Sequence, residues 1–304
     1  MSTTAEVKQK PAAVNNSQKV ISGIQQIGIG NRGVHPLWKW YRQHFGMDIG
    51  IFEEAAEAPL MTQYTGGEVH SRNAALAINM QGGGGFEIWQ FTSREAQPAG
   101  FDLQLGDLGI YICKMKSKDV TKAYEEFRKR ELDIVGKLAE DPNGNPHFYL
   151  RDPNGNLFEV VEGSSWFGEN EHLTGGAYGA VIGVSDMEKS LKLYRDVLEH
   201  DNVIYDGTGH FEDLKALPGG EGKFRRVLLQ NSQPRQGAFG PLLGDSQIEL
   251  VQAFDHEGRK IFKNRYWGDM GYIHLCFDVR NVDALKKECK EAGFPFTIDT
   301  DKFI

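Results

Sequence analysis

The feature that most constrains this chain is a repeat. Residues 24–30 (IQQIGIG) alternate in polarity and then meet turn residues, the pattern of a strand. Residues 36–45 (PLWKWYRQHF) place apolar side chains at helical spacing, with Pro at the start and Gly46 after the end. Residues 48–52, 74–80 and 86–91 read as three more strands, the last two joined by the turn QGGGG. The order β-α-β-β-β then returns. It runs through strand 108–112, helix 120–130, strands beginning at 133 and 146, and the turn DPNGN leading into 157–161 (LFEVV). A third copy runs from strand 180–184 through helix 187–198 to strands 224–229 and 247–252. A fourth has strand 273–279, helix 282–292 and strand 295–298, and stops two strands short.

The copies alternate in kind. Helices one and three share a Tyr-Arg pair, Tyr41-Arg42 and Tyr194-Arg195, whereas helices two and four end in charged stretches. This predicts an α+β protein of four βαβββ modules in two pairs, the last module incomplete. The polar residues 1–19 read as a disordered tail, 20–165 as the first paired domain, 166–176 as a linker and 177–304 as the second domain. The short fourth module is expected to be completed by a longer chain or by another subunit, because an open sheet edge invites pairing.

Composition excludes several classes. Thirty-four basic against 42 acidic residues give a net charge of −8, the reverse of a nucleic-acid binder. No apolar run approaches the roughly 18 residues of a membrane span, and the first residues lack the apolar core of a signal peptide. Three cysteines without C-x-x-C spacing fit a reducing, cytoplasmic setting. No G-x-S-x-G, H-E-x-x-H or Walker motif is present. Gly28, Gly30 and Gly33 do match G-x-G-x-x-G, with Glu53 and Glu54 downstream. A dinucleotide reading is rejected, since His35-Pro36 delays the helix whose amides would face a pyrophosphate and hairpins follow where βαβ units should.

The repeat resembles the vicinal oxygen chelate superfamily, which includes glyoxalases, epimerases, extradiol dioxygenases and bleomycin-resistance proteins. Residues 184–198 (VSDMEKSLKLYRDVL) look like its first strand-to-helix segment, and 151–161 (RDPNGNLFEVV) like its closing hairpin. Segments 86–90 (FEIWQ), 248–252 (IELVQ) and 274–279 (HLCFDV) look like its metal-bearing strands. The fold implied is a pair of modules closing round a cup, with metal ligands on the first and fourth strands of each module. Carried over by strand parity, the first cup would present Gln26, Glu87, Asp107 and Glu159. The second would present Glu249 and His274, with Gly179 unable to ligate. His147 reads either as facing the first cup or as a surface strand residue; the alternative for Glu87 and Glu159 is a solvent face, for His274 a core histidine, and for Asp107 a plain turn residue.

The resemblance implies a divalent cofactor, with Mn, Mg, Ni, Zn and Fe all open, and a small-molecule substrate with vicinal oxygens. The reaction implied is a lyase or isomerase step through a metal-stabilised enediolate, with Glu87 and Glu159 as the bases. The alternatives are an extradiol-type ring-cleaving dioxygenase and a non-catalytic binding protein of the same fold. A second copy of the chain is the candidate macromolecular partner; neither nucleic acid nor membrane is expected.

Overall fold

The computed structural model of the protein describes residues 18–299. Residues 1–17 of the expected tail therefore lie outside the described residues. Module one comprises β1 (Val20–Asn31), α1 (Val34–Phe45), β2 (Ile49–Glu57), β3 (Ser71–Ile78) and β4 (Gly85–Phe91). Module two comprises β5 (Gly109–Ser117), α2 (Val120–Lys129), β6 (Asp133–Glu140), β7 (Pro146–Arg151) and β8 (Leu157–Glu162). Module three has β9 (Ala177–Gly183), α3 (Met187–Leu191) running on into a π-helical turn (Lys192–Val197), β10 (Asn202–Gly209) and β11 (Phe224–Gln230). A one-turn helix α4 (Gly240–Leu243) then leads into its last strand, β12 (Gln247–Ala253). Module four contributes β13 (Gly271–Arg280) and α5 (Val282–Ala292).

The strand expected at 295–298 is not formed. The carbonyl of Thr297 there accepts from the Gln63 amide at 3.1 Å, so a side chain takes what a ladder would have used.

The modules pair differently from their order in the sequence. One sheet has five strands in the order β13-β1-β4-β3-β2; the other has eight, β10-β11-β12-β9-β5-β8-β7-β6. Module one therefore shares a sheet with module four, and module two with module three. This corrects the expectation that modules one and two close round one cup. Two loops explain it. The stretch after β8 is pinned along β5, where the Gly175 amide donates to the Lys116 carbonyl at 2.7 Å, and this delivers β9 to the free edge of β5. The loop before β13 is pinned beside β1 and β4. Asp269, fully buried, accepts from Arg94 at 2.5 Å and from the Gln97 amide at 2.8 Å. Its own carbonyl lies where a side chain on Gly30 would be, 2.0 Å from that position.

The two sheets share one aromatic core. Helix α1 buries Val34, Leu37, Tyr41 and Phe45, an i, i+3, i+7, i+11 stripe. These pack with Phe86 from one sheet and Phe127, Phe148 and Phe158 from the other module pair. Each such ring is worth roughly 1.5–3 kcal/mol of burial. The Tyr41 hydroxyl donates to Asp152 at 2.6 Å, tying α1 to the DPNGN turn. Within that turn Asp152 also accepts from the amides of Asn154 and Asn156, at 2.8 and 2.9 Å.

Candidate functional site

In the five-stranded sheet, three of the expected ligands converge. Gln26 on β1 donates through Nε2 to Glu87 Oε2 on β4 at 2.8 Å. His274 Nε2 on β13 lies 2.9 Å from the same oxygen. Strand register brings them together: β4 runs parallel to β1 with Glu87 opposite Gly28, and β13 runs antiparallel with His274 opposite Gly28 on the other side. Gly28 leaves the space. A Cβ there would lie 2.4 Å from His274 Cε1. The Trp267 ring stacks on His274 at 5.8 Å, and a quarter of the imidazole remains exposed. The glycines of the G-x-G-x-x-G match thus serve strand packing: Gly28 admits His274 and Gly30 admits the Asp269 carbonyl.

In the eight-stranded sheet, Glu159 on β8 and Glu249 on β12 converge on Lys114 of β5. Lys114 Nζ lies 2.5 Å from Glu159 Oε2 and 2.7 Å from Glu249 Oε2, and all three side chains are almost fully buried. Arg226 on β11 completes the charge network. Its guanidinium reaches Glu249 Oε1 at 2.8 Å and both oxygens of Asp213 at 2.8 and 3.0 Å. His147 on β7 places Nδ1 2.8 Å from Glu159 Oε1, and Nε2 3.5 Å from Asp213. Burial opposes every charge here; at Asp213 it prevails and pushes the carboxyl up, and at Lys114, Glu159 and Glu249 the partners overcome it. Lys114 and Arg226 hold Glu249 below the usual carboxylate range, Lys114 and His147 do the same for Glu159, and the two carboxylates hold Lys114 above the usual lysine range. A cavity of about 220 Å³ opens beside this group.

The four-residue set Gln26, Glu87, Asp107 and Glu159 is therefore not assembled. Glu87 and Glu159 lie in different sheets. Glu249 and His274 part company as well, one to each sheet. Asp107 joins neither site: it is fully buried in the turn before β5, where it accepts from the Arg259 amide at 2.8 Å and pairs with the Arg259 guanidinium at 3.0 Å.

Register explains the misplacement. Gln26 stands opposite Gly85, two residues before Glu87. The residue standing opposite the position two before Glu159 is Ile112, and for Glu249 it is Gly179. Ile112, not Asp107, is the true counterpart of Gln26.

A family model described as Glyoxalase/Bleomycin resistance protein/Dioxygenase superfamily matches residues 23–160 and again residues 172–302. The chain belongs to this superfamily. No curated protein matches the sequence. Among solved structures, two mutants of glyoxalase I from Zea mays superpose with a TM-score of 0.50 each, at 15% and 14% identity. They cover 91% of this chain and 81–82% of their own. A glyoxalase family protein from Bacillus cereus gives 0.38 at 15% identity, covering 52% of this chain and 98% of its own. The likeness to the two Zea mays structures shows the fold, and the two matches of the family model show two glyoxalase-like units.

Within that superfamily fold, sequence reasoning missed Lys114, Asp213 and Arg226. A signal for the first was present. Strand β5 reads GIYICKMKS, and Ile112, Lys114 and Lys116 share one face by parity. A lysine buried in such a strand needs a partner: the two strand glutamates supply it for Lys114, and the Ser165 carbonyl for Lys116.

Proposed function

We propose that the first cup, in the five-stranded sheet, is a divalent-metal site, and that the protein is a lyase or isomerase of a small molecule with two adjacent oxygens. The observation that carries this is the meeting of Gln26 and His274 on one oxygen of Glu87, at 2.8 and 2.9 Å. With the Gln26 amide turned over, so that its oxygen stands where Nε2 now meets Glu87, an amide oxygen, a carboxylate and an imidazole nitrogen form an N/O donor set suited to Ni, Zn, Mn or Fe(II). Among the described residues no three His, Cys, Asp or Glu side chains form a metal cluster, so Gln26 is what raises this group to three donors. Three protein donors on a partly exposed face leave room for substrate oxygens.

A bound ion would supply charge stabilisation to those oxygens as a proton leaves the neighbouring carbon. Glu87 is the carboxylate placed to take that proton at Oε2 and return it to the adjacent carbon. His274 and Gln26 would let go of that oxygen on taking up the ion, which frees Oε2 for the proton, and the Trp267 ring stacks on the imidazole and fixes its plane. Glu159, held in its charged form by Lys114 and His147 in the other sheet, is placed to do neither. A ring-cleaving dioxygenase would require two imidazoles and a carboxylate, and this group offers one imidazole.

The test is elemental analysis of protein purified without chelator, together with turnover of α-hydroxycarbonyl compounds and their thiol adducts. About one divalent ion per chain is expected, with Glu87→Gln or His274→Ala weakening its binding at least about tenfold. Metal content unchanged by both substitutions would sink the proposal.

A further inference from the structure

We propose that the second cup, in the eight-stranded sheet, is a metal-free binding site in which the Lys114 ammonium takes the place of a divalent ion, and that its ligand is a small uncharged polyol. The proposal stands apart from the metal reading of the first cup.

The donor set argues against a metal. A cation held by Glu159 and Glu249 would have to lie between their Oε2 atoms, and Lys114 Nζ is already there, at 2.5 and 2.7 Å. The other oxygen of Glu249 is taken by Arg226, which also clamps Asp213. The positions equivalent to Gln26 are Ile112 and Gly179, and neither can ligate. A metal entering here would have to displace a buried ammonium that both carboxylates stabilise, and would leave that ammonium buried and unpaired.

What remains is a polar cavity of mixed charge. Lys114 and Arg226 face Glu159, Glu249 and Asp213, and burial pushes the Asp213 carboxyl up towards its neutral form. An added ion of either sign meets like charge: Glu159, Glu249 and Asp213 disfavour an anion, Lys114 and Arg226 a cation. The space of about 220 Å³ is many times what one water needs, roughly 15 Å³. Hydrogen-bonding capacity is left over. An ammonium has three N–H donors, and the carboxylates named above take two from Lys114. His147 is 1% exposed, and neither ring nitrogen makes a well-formed hydrogen bond, although Nδ1 lies 2.8 Å from Glu159 and Nε2 3.5 Å from Asp213. Asn143, Asn145, Gln230 and Gln247 extend the lining with amides. Donors and acceptors interleaved in this way match hydroxyl groups, each of which gives one hydrogen bond and accepts others.

The experiment uses the full chain after chelator treatment, with glucose and glycerol as probes by NMR chemical-shift titration, and Ni²⁺ uptake by elemental analysis. Wild-type protein should show saturable shifts with at least one polyol and none with lactate. Its Ni²⁺ content should be unchanged by Glu249→Gln. Lys114→Ala should bind the polyol at least tenfold more weakly and take up one further Ni²⁺ per chain, since it leaves two buried carboxylates without their cation. Loss of Ni²⁺ in Glu249→Gln would overturn the metal-free site. So would a folded Lys114→Ala that gains no Ni²⁺. Absence of saturable binding by both polyols would overturn the ligand class. Should Lys114→Ala fail to fold, the wild-type titrations and Glu249→Gln decide the matter alone.

Discussion

At the scale of single residues, the fold buries ionisable groups only where a partner or neutrality compensates, and His200 shows the second case. It is fully buried, with Nε2 3.1 Å from Ser246 Oγ and 3.3 Å from Arg235 Nη2. Burial first, and then Arg235, push its imidazole down to about 3. The unfolded chain holds that proton near pH 6.5. Between those values the unfolded state binds more protons, so stability falls as pH drops from about 6.5 towards 3. The slope approaches roughly 1.4 kcal/mol per pH unit for one such group. Glu159 and Glu249, both held low, add loss in the same direction at the acid end of that range. Urea midpoints at pH 7 and pH 5 should therefore differ markedly in wild type and much less in His200→Gln, whose amide can still bond Ser246. Equal differences in both proteins would show that His200 is not the titrating group.

At the scale of elements, two glycines on equivalent strands do different work, and substitution should separate them. A Cβ on Gly179 of β9 would lie 1.7 Å from the backbone oxygen of Gln247 on β12. Backbone cannot step aside in a paired sheet, so Gly179→Ala should cost roughly 1–3 kcal/mol, read as a lowered thermal midpoint. The three atoms nearest a Cβ on Gly28 of β1 all belong to the His274 ring, the first at 2.4 Å. That ring can rotate away, so Gly28→Ala should leave the midpoint near that of wild type and lower metal content instead. A large stability loss in Gly28→Ala with metal retained would contradict this division. The same strands show what was legible in the sequence. Helix and strand periods gave the modules, and parity placed Glu87, Glu159 and Glu249 on inward faces. Asp107 was misread because periodicity does not set the start of β5: Gly106 and Asp107 look like a strand entrance, yet the register with β8 assigns the equivalent position to Ile112. Lys114 was passed over because a buried lysine becomes visible only through its counter-charges, which come from two other strands.

At the scale of the whole molecule, the decisive property is that sheets and sequence halves do not coincide. Strands β1 and β13 pair across almost the full length of the chain, and β5 with β9 across the stretch at 163–176. Sequence repeats announce how many modules exist but not which edges meet. That choice rests on loop contacts such as Lys116 Nζ donating to the Ser165 carbonyl at 2.7 Å, and on the Asp269 clamp before β13. Each candidate site depends on the outcome, because His274 reaches Glu87, and Glu249 reaches Lys114, only when the modules pair one with four and two with three. This gives a test that needs no ligand. Residues 169–171 are the exposed tip of the connecting stretch, and a protease site inserted there allows the chain to be cut after folding. If the two pieces share both sheets, the nine paired positions of the β1–β13 ladder and the six of β5–β9 hold them together with a common aromatic core, each ladder hydrogen bond contributing about 1 kcal/mol. The cut protein should elute from a native sizing column as one particle of unchanged size and fall into two only in denaturant. Separation under native conditions would mean that the halves close on themselves, and would remove the geometric basis of both sites.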